Sequence, residues 1–197
     1  MNICIYGASS PDIDKSYFAP VEALGRAMVQ KGFGLVFGGG AQGLMGAAVR
    51  GVIAAGKNSK RFYETKMIAP RFFDKPGILQ KDCSEFLYPE TMRERKQLME
   101  ERADAFIVLP GGIGTFEEFF EILTLKQLGR INKPIMLFNL NGYYGPLLRL
   151  LDETIAQGFM KPACRRLYAA FDDIETMLTA IQKELAEPLD LTGLKNI

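Results

Sequence analysis

Ala105-Phe106-Ile107-Val108-Leu109-Pro110-Gly111-Gly112-Ile113-Gly114-Thr115-Phe116-Glu117-Glu118 is the stretch that decides the fold. Its first five residues form a short apolar run rich in strand formers, the pattern of a strand buried on both faces. Pro110 ends that run. Gly111, Gly112 and Gly114 make a turn whose backbone can be approached closely. Thr115 and Glu118 fit the Thr-x-x-Glu capping box, which predicts a helix with Thr115 as its N-cap. Phe116, Phe119, Phe120 and Leu123 recur at helical spacing, and Gly129 closes the helix. Strand, glycine turn and helix in this order present free N–H groups and a positive helix end above the strand, a ready phosphate site. Glu118 then stands beside whatever the phosphate is attached to, unless it serves only as a cap.

The same unit recurs in the flanking sequence. Asn2–Tyr6 reads as a strand followed by a small polar turn from Gly7 to Asp12, and Tyr17–Lys31 as a helix ended by Gly32. Phe33–Phe37 reads as a strand, Gly38–Gly43 as a glycine turn and Leu44–Ala55 as a helix of small residues. Met67–Pro70 and Glu85–Tyr88 read as short strands, with a loop between them that carries Phe72 and Phe73. Met92–Arg102 is a charged helix. Beyond the central unit, Pro134–Asn139 reads as a strand, Tyr144–Gln157 as a helix, Leu167–Phe171 as a strand and Asp173–Leu185 as an amphipathic helix. A loose tail is expected after Glu187. Alternation of this kind implies an α/β protein: one domain over residues 1–197, with a doubly wound, mainly parallel sheet and helices on both faces. The turns at Gly7, Gly38 and Pro110 should meet at the carboxyl edge of that sheet, where such folds bind ligands.

Composition narrows the chemistry. The 197 residues carry a formal net charge of +1, which gives no general attraction to nucleic acid or to acidic membranes. No apolar run reaches the length of a membrane span, and the start of the chain lacks the features of a secretory signal, so a cytoplasmic protein is expected. Cys4, Cys83 and Cys164 are far apart and odd in number, which indicates neither a disulfide framework nor a zinc site. The chain has no histidine, which removes Ser-His-Asp and Cys-His catalysis. Acid–base work then falls to carboxylates, Tyr, Lys, Arg or water.

Gly38-x-Gly40-x-x-Gly43 satisfies a dinucleotide-binding pattern. It follows the second strand rather than the first, and Glu64 falls in a polar loop, so a second phosphate- or ribose-facing turn is the better reading. Arg93, Arg95 and Lys96 share one helix that leads directly into the central strand. Such charges usually form a solvated face, but a guanidinium returned to the mouth of the sheet would hold a nucleobase or a phosphate.

Arg95-Lys96 together with Pro110-Gly111-Gly112-Ile113-Gly114-Thr115-Phe116-Glu117-Glu118 closely resembles the LOG family, the cytokinin-activating phosphoribohydrolases and their bacterial relatives. The resemblance runs from Ile3 to about residue 182. It includes the stretch from Gly38 to Gly46, Lys133-Pro134, and Asn141-Gly142-Tyr143-Tyr144. It implies a Rossmann-like fold, a homodimer, and hydrolysis of a nucleoside 5′-monophosphate to free base and ribose 5-phosphate. It also implies Arg95 and Glu118 as the catalytic pair. The substrate-binding set expected beside them is Ser9, Gly39, Gly40, Met92, Lys96, Gly111, Gly112, Gly114 and Thr115, with neither metal nor cofactor. Decarboxylation of lysine, an older label of this family, would need a pyridoxal-bearing lysine and its site, and the resemblance supplies neither. Three departures from the family pattern stand out. They are an insertion at Lys57–Glu64, glycine at Gly145 where many members carry aspartate, and aromatic residues in the loop from Arg71 to Gly77. The alternatives are a non-catalytic nucleotide or molybdenum-cofactor carrier of related fold, and an oxidoreductase using the Gly38 turn.

Overall fold

The computed structural model describes residues 1–58 and 64–192. Among them, seven strands form one sheet: β1 (Asn2–Tyr6), β2 (Gly34–Phe37), β3 (Thr65–Ile68), β4 (Glu85–Leu87), β5 (Ala105–Val108), β6 (Ile135–Phe138) and β7 (Ala169–Phe171). Their order is β4-β3-β2-β1-β5-β6-β7, and every neighbouring pair is parallel. The residues explain the order. Every residue of β2, β5 and β6 is buried, as a parallel strand covered on both faces requires. The edge strands β4 and β7 are three residues long and only partly buried. Short edges of this kind offer little to pair with another chain.

Among the described residues six α-helices cover the sheet: α1 (Phe18–Gln30), α2 (Gly43–Asn58), α3 (Met92–Arg102), α4 (Ile113–Gln127), α5 (Gly145–Ala156) and α6 (Ile174–Ala186). Alternate residues of each strand feed opposite cores. Ile3 and Ile5 of β1 pack with Leu24 and Met28 of α1, Val49 and Val52 of α2, and Met177 and Ile181 of α6. Cys4 and Tyr6 pack on the other face with Met99 of α3, Phe119 and Ile122 of α4, and Leu151 of α5. The doubly wound, parallel α/β architecture expected from the sequence is therefore present.

Several boundaries differ. β3 begins at Thr65, two residues before the expected start, because Thr65 is buried and Lys66 is paired with Glu64 at 2.9 Å and Glu85 at 3.7 Å. A short 3-10 turn at Lys15–Tyr17 precedes α1, and another at Pro162–Leu167 takes Leu167 out of the last strand. Asn132 donates a side-chain hydrogen bond to the Leu189 carbonyl at 2.9 Å, and Leu191 packs against the second core. Of the expected insertion, Lys57 and Asn58 end α2, and residues 59–63 lie outside the described residues.

β1 and β5 are neighbours, yet the chain leaves β1 toward β2 and leaves β5 toward β6. The loops after them diverge and open a crevice at the carboxyl edge, the usual ligand position in such sheets. The two helices that follow β1 and β2 cross tightly. A methyl group at Gly25 of α1 would lie 2.2 Å from the Ala48 carbonyl oxygen of α2, and one at Gly51 would lie 2.1 Å from the Glu22 carbonyl oxygen. Gly25→Ala should therefore destabilise the fold by about 1–3 kcal/mol despite alanine's better helix propensity. Urea unfolding of the variant checks this, and an unchanged or raised midpoint would contradict the crossing as described.

Candidate active site

The crevice contains a cavity of about 760 Å³. Its walls come from the loop after β1 (Gly7, Ala8, Ser9, Ser10), the turn after β2 (Gly38, Gly40, Gln42), Met92 and Arg95 of α3, and Gly112, Gly114, Thr115, Glu117 and Glu118 at the start of α4. Phe72, Phe73, Lys75, Ile78 and Leu79 close it from a strap between β3 and β4. Backbone bonds lock the walls together. Ala8 N–H donates to the Pro110 carbonyl at 3.0 Å, and Leu44 N–H donates to the Ala8 carbonyl at 2.8 Å. Gly43 makes the second contact possible. Its φ is +59°, and a side chain there would come within 2.4 Å of the Ala8 carbonyl oxygen.

The helix after β5 starts earlier than the sequence motif suggested. Gly112 is its N-cap, Ile113 its first residue, and Thr115 sits inside the first turn. The capping box at Thr115 and Glu118 is thus overturned, since a residue with helical neighbours on both sides cannot cap. The same Thr-x-x-Glu pattern works instead at Thr91 and Glu94. There the Thr91 hydroxyl accepts from the Glu94 N–H at 3.1 Å, and the Glu94 carboxylate accepts from the Glu90 N–H at 2.8 Å. In α4 the first bond within the helix runs from Phe116 N–H to the Gly112 carbonyl at 3.1 Å. The N–H groups of Ile113, Gly114 and Thr115 precede it, so the helix has no carbonyl of its own to offer them. Gly114 and Thr115 line the cavity.

Released from capping, Glu118 meets Arg95. The Arg95 Nη1 donates to the Glu118 Oε1 at 3.1 Å, and its Nε donates to the Ile68 carbonyl at 3.2 Å. The two side chains are 9% and 11% exposed, so this is a buried ion pair open only to the cavity. Gly38 makes room for it: a methyl group there would lie 1.9 Å from the Arg95 Nη2. Burial raises the Glu118 carboxyl above the ordinary value of 4.5, and the Arg95 charge opposes that rise without cancelling it.

The expected site residues divide. Ser9, Gly40, Met92, Arg95, Gly112, Gly114, Thr115 and Glu118 all line the one cavity. Lys96, Gly39 and Gly111 do not. Lys96 lies along the outer side of α3 and α4, paired with Glu117 and, at 3.0 Å, with Glu121. Gly39 has a φ of +86° and faces the Met67 and Leu79 side chains. Gly111 is needed because a side chain there would meet the Thr115 hydroxyl at 2.2 Å. Arg93 is exposed, as the solvated-face reading of the helix expects. Gln42 and Met45, from the turn after β2 and the start of α2, also line the wall, and Leu79, which no sequence motif singled out, is brought there by the antiparallel bridge between Gly40 and Leu79.

The family model described as "Possible lysine decarboxylase" matches residues 45–181. A probable cytokinin riboside 5′-monophosphate phosphoribohydrolase of Oryza sativa subsp. japonica is 35% identical over 193 residues, covering 98% of this chain and 76% of the relative. The cytokinin riboside 5′-monophosphate phosphoribohydrolase of Rhodococcoides fascians is 36% identical over 181 residues, covering 92% and 89%. The chain belongs to the LOG family. Its fold extends beyond that family. The molybdenum cofactor carrier protein of Chlamydomonas reinhardtii superposes with a TM-score of 0.70 at 18% identity, over 94% of this chain and 99% of that one. Among the described residues of this LOG-family chain, no group of three acidic, Cys or His side chains is arranged to hold a metal ion. No helix among them is long and apolar enough to cross a membrane.

The raised Glu118 carboxyl has a measurable sign. Below pH 4.5 both folded and unfolded chains hold the proton. As pH rises from 4.5 through the higher folded value, the unfolded chain loses it first, so ionising Glu118 costs stability. The stability of wild type relative to Glu118→Gln should therefore decline over that window. Urea midpoints of the two proteins at acid and neutral pH test this, and a difference that grows in favour of wild type with rising pH would contradict it.

Proposed function

We propose that this protein hydrolyses the N-glycosidic bond of a nucleoside 5′-monophosphate, AMP or an N6-modified, cytokinin-type AMP, to free base and ribose 5-phosphate. The observation that carries the reading is the buried Arg95–Glu118 pair, set one helical turn beyond the N-terminus of α4 in a single cavity. The names of the relatives at 35% and 36% identity support the same chemistry.

The mechanism follows from what each group offers. The 5′-phosphate sits against the N–H groups of Gly112, Gly114 and Thr115 and the Thr115 hydroxyl, where the helix dipole favours negative charge. Glu118 lies three residues further along α4, about 4.5 Å up the axis, which sets its carboxylate beside the ribose. Breaking the C1′–N bond leaves positive charge on the sugar, as in glycoside hydrolysis generally. The ionised Glu118 stabilises that charge and orients the attacking water. The C1′–N bond breaks, a C1′–O bond forms from water, and the proton released by water ends on the departing base. Arg95 positions the nucleotide, favours departure of the base and keeps Glu118 charged in its buried setting. Phosphate binding supplies energy remote from the reacting bond and holds the sugar in place. On this reading the partner is a small nucleotide rather than nucleic acid or membrane, no cofactor takes part, and the enzyme works in the cytoplasm.

The active unit proposed is a homodimer. Phe120 on the outer side of α4 is exposed, as are Ile113, Leu150 and Phe159. A second copy would cover apolar groups of this kind. Light scattering at micromolar concentration should report the mass of two chains, and a monomer mass would remove this part of the proposal.

Turnover tests the rest. Wild type should release adenine from AMP far faster than from adenosine. Glu118→Gln should lose on the order of 100-fold or more in turnover while nucleotide affinity largely survives. Measuring free base by chromatography for both proteins decides the matter. Equal rates on AMP and adenosine would remove the phosphate site, and full turnover in Glu118→Gln would remove the catalytic pair.

A further inference from the structure

Four successive carbonyl groups between β5 and α4 each accept a hydrogen bond. The Leu109 carbonyl takes the Tyr144 hydroxyl at 2.6 Å. The Pro110 carbonyl takes the Ala8 N–H at 3.0 Å. The Gly111 carbonyl takes the Tyr143 hydroxyl at 2.5 Å. The Gly112 carbonyl takes the Phe116 N–H at 3.1 Å. Two of these donors are adjacent tyrosines that do not line the cavity and take no part in the reaction proposed above.

This arrangement has a consequence for an anion. A trans peptide points its C=O and N–H in opposite directions. The peptide between Gly111 and Gly112 joins two residues without a Cβ, so steric resistance to turning it over is at its lowest. Turned over, it would present a carbonyl dipole where the present orientation presents an N–H. The Tyr143 hydroxyl holds the Gly111 carbonyl and so fixes the N–H of Gly112, a cavity-lining residue, on the opposite side.

The two tyrosines are themselves held. Asn139 Oδ1 accepts from the Tyr144 N–H at 2.7 Å, and Phe116 stands edge-on to the Tyr144 ring at 6.5 Å. Tyr17 stands edge-on to the Tyr143 ring at 6.5 Å, and Tyr144 stands edge-on to it at 5.1 Å. Asn141 takes a φ of +52° to turn the chain into the pair and is tied to the Ser16 hydroxyl at 3.1 Å. Tyr144 is 1% exposed, and burial raises its phenol, so it stays a neutral donor. Tyr143 is 36% exposed, so its hydroxyl is not required to satisfy a sealed core.

We propose that Tyr143 is a positioning residue for the 5′-phosphate. Its hydroxyl latches the Gly111–Gly112 peptide in the orientation that receives an anion, with Tyr144 fixing the preceding carbonyl in the same way. The proposal rests on the reading of the Gly112–Thr115 turn as the phosphate site. It predicts a role confined to substrates that carry the phosphate.

Tyr143→Phe keeps the ring and its edge-on contacts and removes only the hydroxyl. We expect the dissociation constant for ribose 5-phosphate, measured by calorimetry on the full chain, to rise about tenfold, the scale of one hydrogen bond's worth of orientation. The ratio of kcat/KM for AMP over adenosine should fall by a similar factor through KM rather than kcat, with the melting temperature little changed. An unchanged dissociation constant, or equal losses on AMP and adenosine, would overturn the latch while leaving the hydrolase reading in place. A wild type that binds ribose 5-phosphate no better than ribose would overturn both. Tyr144→Phe leaves a buried carbonyl without its donor, so a fall in melting temperature is expected there and the binding measurement on Tyr143→Phe carries the decision.

Discussion

The cavity is built around the buried ion pair of Arg95 and Glu118. Arg95 and Glu118 come from different helices, 23 residues apart, and meet at 3.1 Å under the carboxyl edge of the sheet. Taking two such charges out of water costs about as much as their attraction returns, so a pair of this kind is a weak device for stability. The molecule nevertheless shapes several elements around it. β3 gives up the Ile68 carbonyl to the Arg95 Nε, and β2 is followed by a glycine because nothing larger than hydrogen fits against the guanidinium. A carboxylate raised by burial, charge-paired and open only to a cavity is the kind of group found where chemistry is done.

The rest of the site follows from where α3 and α4 must lie to make that pair. α4 leaves β5 with its first turn against the cavity, so its unsatisfied N–H groups fall on one side of Glu118 and the strap carrying Phe72 and Phe73 closes the other part of the space. In the proposed reading the phosphate site and the Glu118 carboxylate lie on the same helix, three residues apart, or about 4.5 Å along its axis. The strap is tied to the Gly38 turn through Ala41 N–H to the Ile78 carbonyl at 2.9 Å and Gln80 N–H to the Gly39 carbonyl at 2.9 Å. Gly38 and Gly40 after β2 therefore serve the cavity wall.

Much of this was legible in the sequence. Strands such as Ala105–Val108 are apolar throughout because both faces are covered, and that signal is local. The gathering of the Gly7, Gly38 and Pro110 turns at one edge follows from the alternation of strands and helices alone. What was misread depended on contacts between distant residues. Thr115 and Glu118 match a capping box by spacing, but Gly112 already ends the loop and Arg95 claims the carboxylate. Lys96 and Arg95 are neighbours in sequence and equal in charge. Helix geometry sends one into the cavity and the other to Glu121, and only the position of α4 decides which.

The central claim is that Arg95 and Glu118 act on the nucleotide as one unit. A double-mutant cycle measures this directly: turnover of AMP by wild type, Arg95→Ala, Glu118→Gln and the double variant, each verified as folded by its far-ultraviolet spectrum. Groups that work together lose their effect when either is removed. The account predicts that the double variant is no slower than the slower single variant. Losses that multiply, so that the double variant is slower than either by the full product of the two, would contradict it.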